Sequence, residues 1–407
     1  MMNNQQKTDN SLLNYDYTVS CISKNEYILS YKEKYYKIGE FVYQILLEGK
    51  KANSLEDLVI CLGNNAIITV ASLKEIIDTK ILPVFKSPET ALKEQTGGFW
   101  MKRQILSSKN TAVLARPISF LFGSLFYPLF LILLFFNVWL YYKTSDSISN
   151  SSISQAYEIL AWFVSYLSLF IIMFVHELGH AASAIKSGIK PRSIGLGFYT
   201  IMPAMYTDLT DIWRLSSNKK VKINLSGIFI QLIINILIVS IINLTDEDLV
   251  QSIASKIYFV NSLLIILNLV PFLKFDGYWI LSDFFGIPNL IPQSDKMLMD
   301  AVTIKDPFDE EDNIKKTPLK QTVLTIYTVL RVLFIATTIF FVFAFIYSSF
   351  LKSIILIKYL PYLKLNFATT IEISKRIATI AVIVLFTRKY KKIFFNIILK
   401  KARWYKV

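Results

Sequence analysis

Histidine is almost missing from this chain of 407 residues. There are two, His176 and His180, four positions apart, with Glu177 after the first. A residue type used in one place only, at that spacing, points to one local purpose rather than scattered surface roles. Charge is also scarce: charged residues make up 18% and hydrophobic residues 53%, with a mean hydropathy of +0.44, against about 25% charged in an ordinary soluble domain. That balance excludes a soluble globular protein and reads as a membrane protein. Cysteine is scarce too. Cys21 and Cys61 both lie in the polar N-terminal region, do not make a disulfide framework, and read as reduced thiols. No GxxxxGK[ST] pattern occurs, so nothing suggests a transport ATPase. No apolar signal-peptide core follows MMNNQQKTDNSLLNYDY, so no cleavable signal is expected and the N-terminus is placed in the cytosol.

The formal net charge of +14 suggests nucleic acid at first sight, but much of the Lys and Arg flanks apolar runs or lies in the C-terminal tail. Residues 31–51 hold Lys32, Lys34, Lys37, Lys50 and Lys51 but no Arg to read base edges, with acidic residues between them. The expected partner is the lipid bilayer, and no nucleic acid is expected.

The fold class expected is a multi-pass α-helical membrane protein of about six transmembrane helices with a small N-terminal cytosolic winged-helix-like α/β domain. Residues 1–95 begin with β-type runs (YDYTVSCI, YILSY, KYYKI). Helical signals follow: Gly39 and Gly49 bracket EFVYQILLE, Ser54 can cap SLEDLVICL, and Ser72 with Glu75 makes a capping-box pattern. A basic linker, 96–117, contains Gly97, Gly98, Lys102, Arg103, Lys109, Arg116 and Pro117. Apolar runs long enough to cross a bilayer lie near 118–141, 159–182, 223–244, 256–275, 324–350 and 367–387. The last is interrupted by Glu372, Lys375 and Arg376, so five or seven spans stay open. The organisation is thus an N-terminal domain, the linker, a transmembrane core over 118–285 with its catalytic spans at about 159–275, a cytosolic loop over 286–320, and additional helices with a basic tail over 321–407. Lys186, Lys190 and Arg192 after the second span, and Lys219, Lys220 and Lys222 before the third, belong on the cytosolic side, while Asp246, Glu247 and Asp248 suit the outer face. This expects a cell-membrane protein with both termini in the cytosol.

On a helix, His176 and His180 share a face and can present two imidazoles to one metal ion, with Glu177 beside them. Zinc is the natural occupant, although this ligand set accepts other divalent ions. Glu177 is the candidate base toward a water activated there. A His pair used only for helix packing is the bland alternative, but an unpaired carboxylate within a membrane is costly and marks function. The third ligand candidate lies in LNLVPFLKFDGYW, residues 267–279. Asp276 follows an apolar span on the side that receives His180, Asn268 and Pro271 can interrupt the helix, and Gly277 permits a close turn behind the ligand. Asp208 and Asp211 are rival carboxylates in the intervening loop.

With His176, Glu177 and His180 followed by Asn268, Pro271, Asp276 and Gly277, residues 160–285 resemble the site-2 protease family of intramembrane zinc metalloproteases. The family pairs HExxH on one transmembrane helix with a later Asn-Pro-Asp-Gly type motif. The resemblance implies that Asp276 completes a Zn2+ site with His176 and His180, that Glu177 is catalytic, and that Asn268 helps to hold an extended substrate. It also implies a membrane-edge β-hairpin over GFYTIMPAMYTDLTDIWRL. Ser226-Gly227 lies where small residues let helices pack closely.

The stretch KYYKIGEFVYQILLEGKKANSLEDLVICL resembles the small winged-helix (PqqD-like) peptide-recognition domains that accompany enzymes maturing ribosomally made peptides. Such domains add a peptide as an extra strand. The expected function is zinc-dependent cleavage of a ribosomally made precursor peptide recruited by the N-terminal domain, with peptide-export or maturation proteins as further partners. A second reading is regulated intramembrane proteolysis, with a transmembrane-peptide substrate. A third is a non-enzymatic peptide-binding or immunity protein with a structural metal.

Overall fold

The computed structural model describes residues 11–23, 26–32, 34–62, 69–86, 99–149, 154–199, 202–302, 317–359 and 374. The span expected near 367–387 apart from residue 374, residues 303–316 of the expected cytosolic loop, the glycine pair at 97–98 and the basic tail lie outside them. The chain divides into two units, Met1–Ile291 and Pro292–Val407.

The first unit opens with a three-stranded antiparallel sheet in the order β1-β2-β3, built from β1 (Tyr17–Ser23), β2 (Glu26–Tyr31) and β3 (Lys34–Ile38). Helices α1 (Glu40–Gly49), α2 (Leu55–Leu62) and α3 (Val70–Ile76) follow, the last continuing through a π-helical turn into α4 (Leu82–Lys86). Leu29, Ile45, Leu46, Leu58, Leu73 and Phe85 form one apolar core between the sheet and these helices. Ser54 caps α2, accepting from Asp57 N at 3.1 Å. The capping box of α3 is not Ser72 with Glu75, as the sequence suggested. Thr69 is the cap, its hydroxyl accepting from Ser72 N while Ser72 Oγ accepts from Thr69 N.

Where the sequence suggested a linker over 96–117, the structure has β4 (Phe99–Leu106) and α5 (Ser108–Ala115). β4 pairs with β5 (Ser193–Tyr199), which pairs with β6 (Met202–Asp208), giving a second antiparallel sheet in the order β4-β5-β6. The β5–β6 hairpin overlaps the stretch expected to form one, 197–215, but starts four residues earlier and ends at Asp208, with a 3₁₀ turn over Thr210–Arg214 in the remainder. A 3₁₀ turn over Arg116–Phe122 and the extended backbone at Gly123 delay the first long helix, so α6 runs Phe126–Ser149 rather than starting at 118.

Among the described residues, five helices are long and apolar enough to cross a membrane. They are α6, α7 (Gln155–Lys186), α8 (Ser217–Leu244), α9 (Asp248–Leu269) and, in the second unit, α12 (Pro318–Tyr359). Of these, α8 is the most enclosed. It packs against α6, α7 and α9 with Phe229, Ile230 and Leu232 in the shared core. α7 ends in a Schellman turn: Gly188 adopts φ +88°, Ile189 N donates to Ala184 O and Gly188 N to Ile185 O. That turn feeds the chain straight into β5.

The fourth apolar run was expected to continue to 275, but α9 stops at Leu269. Pro271 pushes Val270 out of the helical region, to φ −67° and ψ 118°. The chain turns and restarts as α10 (Asp276–Phe285), with Asp276 as its first residue. The second unit holds α11, Leu290–Val302, which begins at the boundary, and α12. Within it Arg331 Nη1 pairs with Asp295 Oδ1 at 2.7 Å and also donates to Ser294 Oγ.

Candidate metal centre

Three elements converge on one buried point. The helical repeat of α7 stacks His176 and His180 on one face, with ring centroids 4.7 Å apart and Nε2 atoms 3.0 Å apart. The break after α9 brings Asp276 opposite them, its Oδ2 lying 3.2 Å from His176 Nε2 and 3.4 Å from His180 Nε2. α8 supplies the floor. A Cβ built on Gly227 would lie 2.5 Å from His180 Nε2 and 2.6 Å from His176 Nε2, so any side chain there fills the space where the imidazoles meet. Gly179 lets the helices approach this closely: its own Cβ would stand 2.8 Å from Ser226 O. Gly277 does the same behind Asp276, where a Cβ would run into the carbonyl of Leu269.

The hydrogen bonds on the far side of each ring decide what this cluster holds. His180 Nδ1 lies 2.7 Å from Ile223 O, a peptide carbonyl that only accepts, so Nδ1 carries the proton and, in the neutral ring, Nε2 is the bare nitrogen. His176 Nδ1 faces Gln231 Oε1 at 2.9 Å with the same consequence. With both rings neutral, two bare ring nitrogens and a carboxylate oxygen point at one another. Asp276 Oδ2 is buried without a hydrogen-bond partner. Lone pairs at this spacing repel unless a cation sits among them. A tetrahedral zinc centre with ligands at 2.0–2.2 Å spaces its ligand atoms roughly 3.3–3.6 Å apart, within a few tenths of an ångström of the separations here. Two imidazoles and one carboxylate fit zinc, and among the described residues this is the one group of three or more His, Cys, Asp or Glu placed to hold a metal.

Glu177 is 9% exposed and points to the hairpin. The Thr207 hydroxyl on β6 lies 2.6 Å from its Oε2 and 3.0 Å from its main-chain O, and its single proton goes to the shorter contact. Thr207 was not singled out from the sequence; a lone hydroxyl in a short strand carries no signal there.

The rival carboxylates are not brought into the cluster. Asp208 Oδ1 accepts from the hydroxyl and the main-chain N of Thr210, and Asp211 pairs with Arg192 at 3.2 Å. Asn268 lies in the last turn of α9, and its Nδ2 donates to Gln231 Oε1 at 3.3 Å, linking it to the back of His176. Gln231, Asn235 and Asn261 escaped the sequence reading. Their signal was present as amides inside apolar spans, where polar side chains are expensive.

Residues 164–255 match Peptidase family M50, a metalloprotease family. Over 143 residues the chain is 31% identical to "Putative peptide zinc metalloprotease protein YydH" of Bacillus subtilis (strain 168). That stretch covers 34% of this chain and 55% of the relative, so the chain spans just over half of the relative's length. No solved structure matches the chain.

Proposed function

We propose that the chain is an intramembrane zinc metalloendopeptidase, in which His176, His180 and Asp276 hold the metal and Glu177 is the catalytic base. The observation that carries this reading is the convergence of three bare lone pairs, 3.0–3.4 Å apart, beside a buried glutamate in a helix that can span a membrane. The family match over α7 and α8 supports it independently.

Zinc bound there supplies Lewis acidity toward a water and a peptide carbonyl. The chain's own residues do the rest. Glu177 takes the proton of the attacking water and passes it to the leaving amine. Thr207 holds Oε2, which leaves the other carboxylate oxygen to face that water. β6 is an edge strand of its sheet, so an extended peptide can lie along it close to Glu177. Asn268 is assigned to holding that peptide from the α9 side.

The substrate in this proposal is a ribosomally made precursor peptide. The N-terminal domain supports it, since the β1-β2-β3 sheet leaves strand edges for a peptide to extend. Lys186, Lys190, Lys219, Lys220 and Lys222 cluster at the ends of α7 and α8 nearest His180. This supports a cytosolic opening of the site in the cell membrane.

The test is comparative peptide mass spectrometry on cells with the neighbouring genes intact, expressing either the wild type or Glu177→Gln. An uncut precursor accumulating only in the variant is expected. If the accumulating protein is instead a membrane-anchored regulator, the substrate is a signalling protein. Equal cutting in both strains contradicts the protease reading.

A further inference from the structure

The two histidines are held differently, and the difference assigns a role to a residue outside the ligand set. His180 gives its Nδ1 proton to a peptide carbonyl, which no substitution can turn around. His176 gives its proton to the side chain of Gln231, and a side-chain amide has two ends. Turned over, it would offer an N–H to Nδ1 and drive the ring proton onto Nε2, the atom that must be bare to bind a metal.

The surrounding amides forbid that rotation, and the order can be followed from one fixed point. The main-chain carbonyl of Gln231 only accepts, so the Asn261 atom 3.0 Å from it is an NH2 group. That group has two hydrogens, and the second goes to Asn235 Oδ1 at 2.8 Å. The other end of Asn261 is then its oxygen, which accepts from Gln231 Nε2 at 3.0 Å. Gln231 is left with Oε1 toward His176, and Asn268 Nδ2 donates to the same oxygen at 3.3 Å. Gln231, Asn235 and Asn261 are 1%, 2% and 0% exposed on two apolar helices. An amide without partners in such surroundings is strongly disfavoured, so the network stays closed.

We propose that Gln231 is a positioning residue of the metal centre, oriented by Asn261, which fixes the His176 proton on Nδ1 and aims the bare Nε2 at the metal. The inference rests on the metal-centre reading above. Partners of this kind, behind a ligating histidine, typically contribute 10–100-fold to metal affinity.

The experiment measures zinc affinity by chelator competition on the full chain in detergent or nanodiscs, for wild type, Gln231→Met and Gln231→Glu. Met keeps the length and volume but accepts nothing useful from Nδ1. Glu, protonated on the oxygen that takes the place of Nε2, donates to Asn261 Oδ1 and accepts from Nδ1 through its other oxygen. The expected result is zinc binding weakened by about 10–100-fold in Gln231→Met and restored in Gln231→Glu, with Co2+ absorption bands shifted in the first variant and not in the second. If the Met protein is not monodisperse, Gln231→Ser, polar but too short to reach the ring, takes its place with the same expected loss. Unchanged affinity in the Met or Ser variant overturns the inference. So does a Glu variant as weak as the Met variant, because a purely packing role predicts that both fail alike. A wild type that takes up no zinc overturns the metal-centre reading and this inference with it.

Discussion

The Thr207 hydroxyl donates to Glu177 Oε2 at 2.6 Å, joining the edge strand of the β4-β5-β6 sheet to the helix that carries both histidines. Hydrogen bonds to charged groups contribute about 1.5–3 kcal/mol, and about 1.4 kcal/mol is a factor of ten in rate. Thr207→Val, which keeps the shape and removes the donor, is expected to lower kcat by roughly ten- to a hundredfold while zinc content stays unchanged. Thr207→Ser keeps the donor and is expected to retain most activity. Single-turnover cleavage with parallel metal analysis checks both.

Gly227 makes a sharper prediction. A methyl group there would lie 2.5–2.6 Å from both Nε2 atoms, so Gly227→Ala is expected to lose zinc while the helices still assemble. The loss should be close to complete, and metal analysis of the purified variant beside its circular dichroism spectrum measures it.

The position of Asp276 depends on a second contact two turns along α10. Asp283 Oδ1 pairs with Lys220 Nζ at 3.2 Å and its Oδ2 accepts from Asn224 Nδ2 at 3.1 Å, fastening α10 to α8. Both side chains of the ion pair are largely enclosed, and removing one member of a buried pair costs about 3 kcal/mol or more. Asp283→Ala is expected to lower the thermal midpoint of the core and weaken zinc binding. Lys220→Met with Asp283→Asn, which keeps an oxygen to accept from Asn224 Nδ2, is expected to recover most of the stability. A double-mutant cycle in thermal unfolding gives the coupling.

In the N-terminal unit, Tyr17 OH donates to Leu46 O at 2.8 Å. Burial pushes its phenol up from the usual 10.0 to about 12. A folded-state pKa above the unfolded one means a contribution fully present below about pH 10 and lost as pH rises through about 12. The N-terminal domain is therefore expected to lose stability progressively between about pH 10 and about pH 12, where an exposed tyrosine would contribute no such step. Tyr17→Phe should remove this alkaline step and cost about 1 kcal/mol at neutral pH. Hydrogen exchange of the α1 amides across the pH series checks it.

What could be read from the sequence was whatever local chemistry dictates. The His spacing on a helix and the length of the apolar runs are one-dimensional signals, and the structure has helices at those places. The boundaries moved where a residue's neighbours mattered more than its hydropathy, as at Gly123 and Val270. β4 could not be seen because FWMKRQIL has no alternation of its own; it is a strand because β5 offers it an edge. Thr207 was invisible for a related reason, and Gln231 showed only as an amide inside an apolar span, without its partner. Each matters through one atom of a residue about 30 to 55 positions away, and no periodicity records such a pair.

The most direct test of the central claim is the zinc content of the full-length protein purified in detergent, compared among wild type, Glu177→Gln and Asp276→Ala. The account predicts about one zinc per chain in the first two, because the base is not a ligand, and little or none in the third. Equal zinc in Asp276→Ala, or none in the wild type, would contradict it.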